Sequence, residues 1–215
     1  MGYTQDEIKL IEKYIEPGMS VLDTGSQNDY TTRSIIPPFI SSWYGMKGVS
    51  DYVCIDLAGD NNALRLDLAY PISIGAKFDL VTDIGFGEHV VQADEYETVS
   101  FHEGHINSVY PKGEKKIIEG FYNFWLNKHN LLKVGGIMVN VNPKTKNWPQ
   151  HGYTYLTQEF YTGLVKHAGY SILELGENAA SGNFVDGYNI FSVLRKESDK
   201  FPSFEEFSKL DIYKY

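Results

Sequence analysis

The chain has 215 residues, of which 42% are hydrophobic and 22% charged, and its net charge is −9. This composition is typical of a globular protein and excludes a disordered one, and the length predicts a single domain over residues 1–215. The acidic balance and the absence of a dense basic run argue against nucleic acid as a partner, because such binding depends on neutralising phosphates.

Cysteine content and the N-terminal residues bear on the cellular setting. Cys54 is the only cysteine, which excludes an internal disulfide and a zinc site built from cysteines. The first residues carry Asp6 and Glu7 where a signal peptide would be basic and then apolar, and no apolar run reaches membrane-spanning length. We therefore expect a cytoplasmic protein without membrane association; the sequence leaves its oligomeric state open.

The first half of the chain alternates helix and strand signals. Thr4 and Glu7 have the spacing of a capping box, and Pro37 and Pro38 should end or kink a helical stretch. The predicted elements are a helix over 4–15, a strand over 19–23, a partly helical segment over 30–43, strands over 51–56, 63–68 and 77–83, and an irregular insertion over 92–112.

The second half continues the alternation. Thr157 is the expected N-cap of a helix that Gly169 stops. The predicted elements are a long amphipathic helix over 114–132, a strand over 137–141, a helix over 157–169, two closing strands over 170–176 and 187–196, and a tail over 197–215 with one further helix. Alternating strands and helices predict a mostly parallel sheet with helices on both faces and a core over 19–196.

Four of the predicted strands end in an acidic residue. Asp23, Asp56, Asp67 and Asp83 would all lie at the carboxyl edge of a parallel sheet, where such sheets bind ligands. A single acid at that position is more simply a helix N-cap. Four in succession favour a ligand site.

At this point the chain resembles the class I S-adenosylmethionine-dependent methyltransferases, of the small-molecule type. The resemblance covers about residues 19–195 and is carried by "VLDTGS", "YVCIDL", "LRLDL", "FDLVTDIGFGEHV", "NLLKVGGIMVNV" and "TQEFYTGLVKHAGYSILEL". It implies a three-layer α/β/α sandwich with a Rossmann-like, mostly parallel seven-stranded sheet whose last strand is antiparallel. It also implies S-adenosylmethionine as the cofactor and methyl transfer to an oxygen or nitrogen atom of a small molecule.

The turn after the first strand departs from the pattern of the family. Asp23 and Gly25 match an acid-x-Gly-x-Gly-x-Gly pattern, whereas Gln27 and Asp29 stand where the later glycines should be. Glycines in a dinucleotide turn let backbone amides approach a pyrophosphate. S-adenosylmethionine has no phosphate there, so the turn is interpreted as a cradle for its amino acid end.

The resemblance implies roles for particular residues. Asp56 would accept both ribose hydroxyls, and Asp67 would accept the adenine amino group, although a loop cap is an equally good interpretation of Asp67. The implied cofactor-binding residues are Asp23, Gly25 and Ser26 near the methionine end, Asp56 and Leu57 at the ribose, Asp67 and Leu68 at the adenine, and Asp83 and Ile84 near the methyl group.

Catalytic candidates lie in the loops beyond the strands. His89, His151 and Tyr153 are candidate base or positioning residues, and packing beside the cofactor is the simpler role for His89. No metal ligands are predicted. His102 and His105 lack a third ligand for zinc, and Asp83 with Asn140 or Asn142 lacks the adjacent acidic pair of cation-dependent methyltransferases. The acids of residues 84–111, Glu88 among them, are expected to be solvated.

Two alternatives to a methyltransferase remain open. The incomplete glycine pattern is compatible with a non-catalytic, methyltransferase-like binding or scaffold domain, since fold does not dictate function. An oxidoreductase or epimerase using a nucleotide cofactor is less favoured, because a pyrophosphate needs the close backbone approach that the missing glycines would allow.

Overall fold

The computed structural model describes residues 2–32, 38–58, 62–101, 106–145, 148–179 and 188–214. Within these ranges the helices are α1 (Gln5–Ile11), α2 (Ser41–Met46), α3 (Ile117–Leu131), α4 (Gln158–His167) and α5 (Phe204–Phe207), with 3-10 turns at Tyr30–Thr32 and Gly87–His89. The strands are β1 (Gly2–Tyr3), β2 (Ser20–Thr24), β3 (Asn28–Asp29), β4 (Asp51–Ile55), β5 (Phe78–Ile84), β6 (Gln92–Phe101), β7 (Ile106–Lys116), β8 (Leu132–Pro143), β9 (Thr154–Leu156), β10 (Tyr170–Ala179), β11 (Tyr188–Lys196) and β12 (Ile212–Lys214).

The central sheet has six strands in the order β10-β11-β8-β5-β2-β4. β4, β2, β5 and β8 pair in parallel, and β11 runs antiparallel to both of its neighbours. The predicted direction of the last strand of this sheet is therefore confirmed. The first, fourth and fifth predicted strands, over 19–23, 77–83 and 137–141, become the adjacent parallel strands β2, β5 and β8, so their carboxyl ends share one edge.

Helices cover both faces of the sheet and produce two apolar layers. On one face, α3, α4 and α5 bury a cluster rich in aromatic rings, including Phe121, Trp125 and Phe160. On the other face, α1 and α2 pack through Ile11 and Tyr44 against the inward residues of the strands. These layers confirm the predicted α/β/α arrangement. That the whole chain forms a single domain stays a prediction.

The predicted helix starts at Thr4 and Thr157 are confirmed. Thr4 accepts a hydrogen bond from the Asp6 amide and forms a capping box with Glu7, and Thr157 Oγ1 accepts from the Phe160 amide at 3.1 Å. These signals act over three residues, which is why they can be read from sequence. The first helix ends at Ile11 rather than at residue 15.

The predicted strand over 63–68 is wrong. Only Leu64 pairs with the sheet, as an isolated parallel bridge to Ile55, and no other described residue of this segment belongs to a strand. A parallel partner needs a crossover of a dozen or more residues, and this connection is too short to supply one. The sheet of the described residues consequently has six strands and not seven.

The predicted irregular insertion over 92–112 is also wrong. The described residues of this range belong to the antiparallel pair of β6 and β7, named here the β6–β7 hairpin, whose register shifts between Ala93 and Glu95. Opposite this bulge, Gly113 has φ +73° and the Glu114 amide donates to Asp94 Oδ2 at 3.3 Å. The hairpin was missed because the bulge and Pro111 interrupt the alternation by which a strand is recognised.

Among the described residues, no helix combines the length and the apolar character that crossing a membrane requires.

Candidate functional site

A cavity of about 500 Å³ lies at the carboxyl edge of the sheet. Its volume is within the range of about 300–1,000 Å³ that is usual for small-molecule sites. Its walls are the loops after β4 and β5, the β6–β7 hairpin and the loop before β9. They include Asp56 and Leu57, Asp67 and Leu68, Phe86 and His89, Tyr96 and Tyr110, and residues 150–153.

Asp56 presents a fixed carboxylate to this cavity. It directly follows β4 and is only partly buried. Its Oδ2 accepts from the Ser26 amide at 2.7 Å and its Oδ1 accepts from the Ala58 amide at 2.8 Å. Each oxygen has a second lone pair, so the oriented carboxylate can also accept from two neighbouring hydroxyl groups of a ligand.

Asp67 also lines this cavity. Its Oδ1 accepts from the Ala69 amide at 2.9 Å, which is the local cap that was an equally good interpretation of this residue in the sequence. The hydroxyl group of Tyr96 donates to the Val91 carbonyl at 2.9 Å. Burial, and after it the interaction with the nearby carboxylate of Asp67, raise the pKa of Tyr96. Asp67 is thus in the cavity wall while also capping its own loop.

The turn after β2 has one necessary glycine. Gly25 has φ +88°, and a Cβ placed on it would lie 2.5 Å from Cδ2 of Phe86. Gln27, in the position of a family glycine, is buried and its Nε2 donates to the Ile84 carbonyl at 3.2 Å. The side chain of Gln27 therefore ties the turn to the end of β5. Neither Gly25 nor Ser26 lines the cavity, although the Ser26 amide donates to Asp56, which does.

Asp23 does not line the cavity. It is fully buried within β2, where it accepts from the hydroxyl groups of Tyr3 at 2.9 Å, Tyr52 at 3.0 Å and Thr82 at 2.8 Å. Burial raises the pKa of Asp23 to about 7, and these three hydrogen bonds oppose the shift. The side chain points toward the α1 and α2 layer because residues of a strand alternate between faces, so its placement does not support the expected contact with a methionine amino group.

Asp83 is likewise interior, in a buried polar network. Its Oδ2 accepts from Lys128 Nζ at 2.8 Å and from Asn142 Nδ2 at 3.3 Å, while its Oδ1 accepts from the Gly87 amide at 2.9 Å. Lys128 also donates to Asn140 Oδ1 at 2.8 Å. Neither Asp83 nor Ile84 lines the larger cavity, although Ile84 lines a smaller one of about 240 Å³ beside it.

The sequence did not lead us to predict a role for Lys128. Its ammonium group is fully buried and lies 3.8 Å from the ring centroid of Trp125 and 4.2 Å from that of Phe124. The spacing of the residues does indicate this burial, because Lys128 follows the two aromatic residues by three and four positions and so shares the apolar face of α3. Burial lowers the pKa of Lys128, and the charge of Asp83 opposes that change.

The three catalytic candidates do converge on one wall of the cavity. His89 and His151 have their ring centroids 5.0 Å apart, and the Tyr153 amide donates to the Glu88 carbonyl at 2.7 Å. Burial and then the neighbouring His151 lower the pKa of His89 to about 4, and burial lowers that of His151. Both imidazoles are therefore neutral near pH 7. His102 and His105 lie outside the described residues.

Glu88 is the second residue that the sequence did not reveal. It was expected to be a solvated loop acid, yet it is buried, and burial together with the charge of Asp83 raises its pKa to about 8. Its Oε1 lies 3.7 Å from Nε2 of His89 and 3.7 Å from Nε2 of His151. A buried carboxylate between two cavity histidines is a feature of the tertiary structure alone.

No family model and no curated protein matches this chain. Solved structures do resemble it. The 1,6-didemethyltoxoflavin-N1-methyltransferase of Burkholderia thailandensis, solved with 1,6-didemethyltoxoflavin and S-adenosylhomocysteine, is 13% identical with a TM-score of 0.59, over 90% of this chain and 78% of that one. The N-methyltransferase NodS of Bradyrhizobium japonicum WM9, in complex with S-adenosylhomocysteine, is 12% identical with a TM-score of 0.57, over 91% and 89%.

A SAM-dependent methyltransferase of Methanosarcina mazei gives a TM-score of 0.52 at 11% identity, over 91% of this chain and 99% of that one. This chain has the fold of the class I methyltransferases. At these identities the likeness concerns the fold, and it confirms the fold class that the sequence predicted. In the methyltransferase fold of this chain, the cavity with Asp56 lies at the carboxyl edge of the sheet, where ligands bind in open α/β sheets.

Proposed function

We propose that this chain catalyses transfer of a methyl group from S-adenosylmethionine to an oxygen or nitrogen atom of a small molecule bound in the larger cavity. The observation that carries the proposal is the carboxylate of Asp56, which two backbone amides orient toward a ligand-sized cavity at the edge of a methyltransferase-fold sheet. The two similar structures that contain S-adenosylhomocysteine support the choice of cofactor.

The residues present fit this cofactor. Asp56 has two lone pairs free for a pair of vicinal hydroxyl groups, as a ribose offers. Leu57 and Leu68 contribute apolar surface for a flat base, and Asp67 supplies an acceptor for an exocyclic amino group. Asp23 and Asp83 are better understood as interior groups, since Asp23 accepts a hydrogen bond from Tyr3 and Asp83 accepts one from the Gly87 amide.

When bound, S-adenosylmethionine supplies an electrophilic methyl group on sulfur. The protein then has to align an acceptor atom and to receive its proton where the acceptor is protonated. His89, His151 and Tyr153 line the same cavity as Asp56 and Asp67, and they are the groups proposed to contact the acceptor. Tyr96 of β6 and Tyr110 of β7 contribute aromatic surface to the same cavity.

Binding of S-adenosylhomocysteine, measured by calorimetry, tests the proposal. We expect a dissociation constant in the micromolar range and a loss of about 10- to 100-fold in Asp56→Asn, because a hydrogen bond to a charged acceptor contributes about 1.5–3 kcal/mol. The matched control is Asp51→Asn, which changes an exposed aspartate at the opposite end of β4. Absence of binding to the wild type, or an equal loss in both variants, would contradict the proposal.

A second candidate is a non-catalytic binding domain with the same fold. It is favoured by Gln27, which occupies the turn after β2, and by Asp23, whose oxygens are occupied by Tyr3, Tyr52 and Thr82. Calorimetry separates the two candidates, since a scaffold would give no heat with either S-adenosylmethionine or S-adenosylhomocysteine. Tight binding of NADH without binding of either compound would instead support the oxidoreductase alternative.

A further inference from the structure

Three metal-binding side chains meet between the two cavities. The carboxylate of Glu88 and one ring nitrogen each of His89 and His151 all lie within 4.8 Å of one another. His151 lines both cavities, His89 lines the larger one and Glu88 the smaller. The histidines are about one third exposed, whereas the Glu88 side chain is 1% exposed. The cluster is therefore accessible from the ligand cavity and anchored in the interior.

The two oxygens of Glu88 have different surroundings. Asn142 Nδ2 donates to Oε2 at 3.4 Å and to Asp83 Oδ2 at 3.3 Å, which fixes the orientation of the carboxylate. Oε1 is buried and has no hydrogen-bond partner within the described part of the chain. A buried oxygen without a partner destabilises a fold, because it has lost its water. It points to a ligand that the two imidazoles share.

The backbone holds the two halves of the cluster together. Glu88 and His89 belong to the 3-10 turn Gly87–His89, and the Tyr153 amide donates to the Glu88 carbonyl. A Cβ on Gly152 would lie 2.8 Å from both Cγ and the carbonyl oxygen of Glu88, so only glycine allows this approach. The amides of His151 and Gly152 donate to the hydroxyl group of Tyr155 at 2.8 and 2.9 Å. The loop with His151 is thereby held against the turn.

We propose that Glu88, His89 and His151 bind a divalent transition-metal ion, zinc being the best match. Two imidazole nitrogens and one carboxylate oxygen are a ligand set that suits zinc and its neighbours in the first row, whereas magnesium prefers oxygen ligands alone. In a tetrahedral site with bonds of about 2.0–2.1 Å, ligand atoms lie about 3.3 Å apart. The two distances of 3.7 Å from Glu88 Oε1 need to shorten by only a few tenths of an ångström.

Three protein ligands leave the fourth position of a tetrahedral ion open. Because both histidines line the larger cavity, the open position faces the space for the acceptor. An ion there would bind an oxygen or nitrogen atom of the acceptor and lower its pKa, so the histidines would act as ligands and not as bases. This role rests on the proposed function, whereas the metal site does not.

Calorimetric titration with Zn²⁺ of protein freed of metal by a chelator tests the site. We expect one ion per chain, and a loss of affinity of about 100-fold or more in His89→Ala and in His151→Ala, since each removes one of three ligands. Glu88→Gln keeps the shape of the side chain, removes its charge, and should weaken binding similarly. His167→Gln, a half-exposed histidine of α4 paired with Glu206, is the matched control and should bind as the wild type does.

Visible absorption of the Co²⁺-substituted protein provides a second readout, because a four-coordinate Co²⁺ ion has d–d bands far more intense than the weak band of six-coordinate aqueous Co²⁺. Absence of one-to-one binding in folded wild-type protein would overturn the inference. Unchanged affinity in both histidine variants would also overturn it. S-adenosylhomocysteine binding is measured on the same samples, so the cofactor proposal and the metal site can fail separately.

Discussion

Removal of the buried ammonium group of Lys128 should destabilise the protein strongly. Lys128 Nζ and Asp83 Oδ2 are 2.8 Å apart, with side chains that are 0% and 1% exposed. At that separation the attraction is about 6 kcal/mol for an effective dielectric constant of about 20. Lys128→Met preserves the length and the apolar stem but leaves the Asp83 carboxylate buried without its counter-charge. Breaking such a pair costs about 3–5 kcal/mol, a large part of a typical folding free energy of about 5–15 kcal/mol.

Urea unfolding followed by far-ultraviolet circular dichroism measures this loss without relying on Trp125, whose ring contacts Lys128. The double variant Asp83→Asn/Lys128→Met removes both charges, so it should lose less stability than the sum of the single variants. Lys133→Met is the matched control. It breaks the partly exposed pair with Asp79, whose atoms are 2.9 Å apart, and should cost at most about 1 kcal/mol. Equal losses in Lys128→Met and Lys133→Met, or additive losses in the double variant, would refute the reasoning.

Two further predictions concern pH and packing. Burial raises the folded-state pKa of Asp23 from 3.8 to about 7, so the folded state binds more protons between these values and loses stability as pH rises through that window. In urea unfolding, the free energy of unfolding of Asp23→Asn relative to that of the wild type should therefore increase by up to about 4 kcal/mol as the pH rises from 4 to 8. A difference in unfolding free energy that does not change with pH would contradict this prediction. Gly120→Ala should destabilise by about 1–3 kcal/mol in thermal unfolding, because its Cβ would lie 2.5 Å from the backbone nitrogen of Gln92. Gly163→Ala in α4 meets only the flexible end of Leu210 at 3.0 Å and should be neutral or stabilising, so an equal effect of both changes would argue against the steric cause.

The sequence by itself determined the features that depend on neighbouring residues. Thr4 and Thr157 cap helices because a side-chain oxygen reaches an amide two or three residues away. The apolar runs of β2, β5 and β8 identified the parallel strands of the core, and their order predicted the edge at which a cavity is found. Asp56 was placed at that edge from the end of its strand, whereas Asp67 was placed there from the predicted strand over 63–68, which these residues do not form. Both line the cavity. Their contacts with a cofactor stay predictions.

Only the tertiary structure decided which acidic groups face a ligand and which are interior. Asp23 and Asp83 resemble Asp56 in sequence, but β2 and β5 are central strands, so helices and neighbouring strands cover their side chains. Glu88 and His151 are 63 positions apart, and a glycine at 152 is what lets their loops touch. Hydrophobic periodicity and caps report on a few neighbouring residues. The partners of a buried charge come from distant segments, and the register of the sheet brings them together.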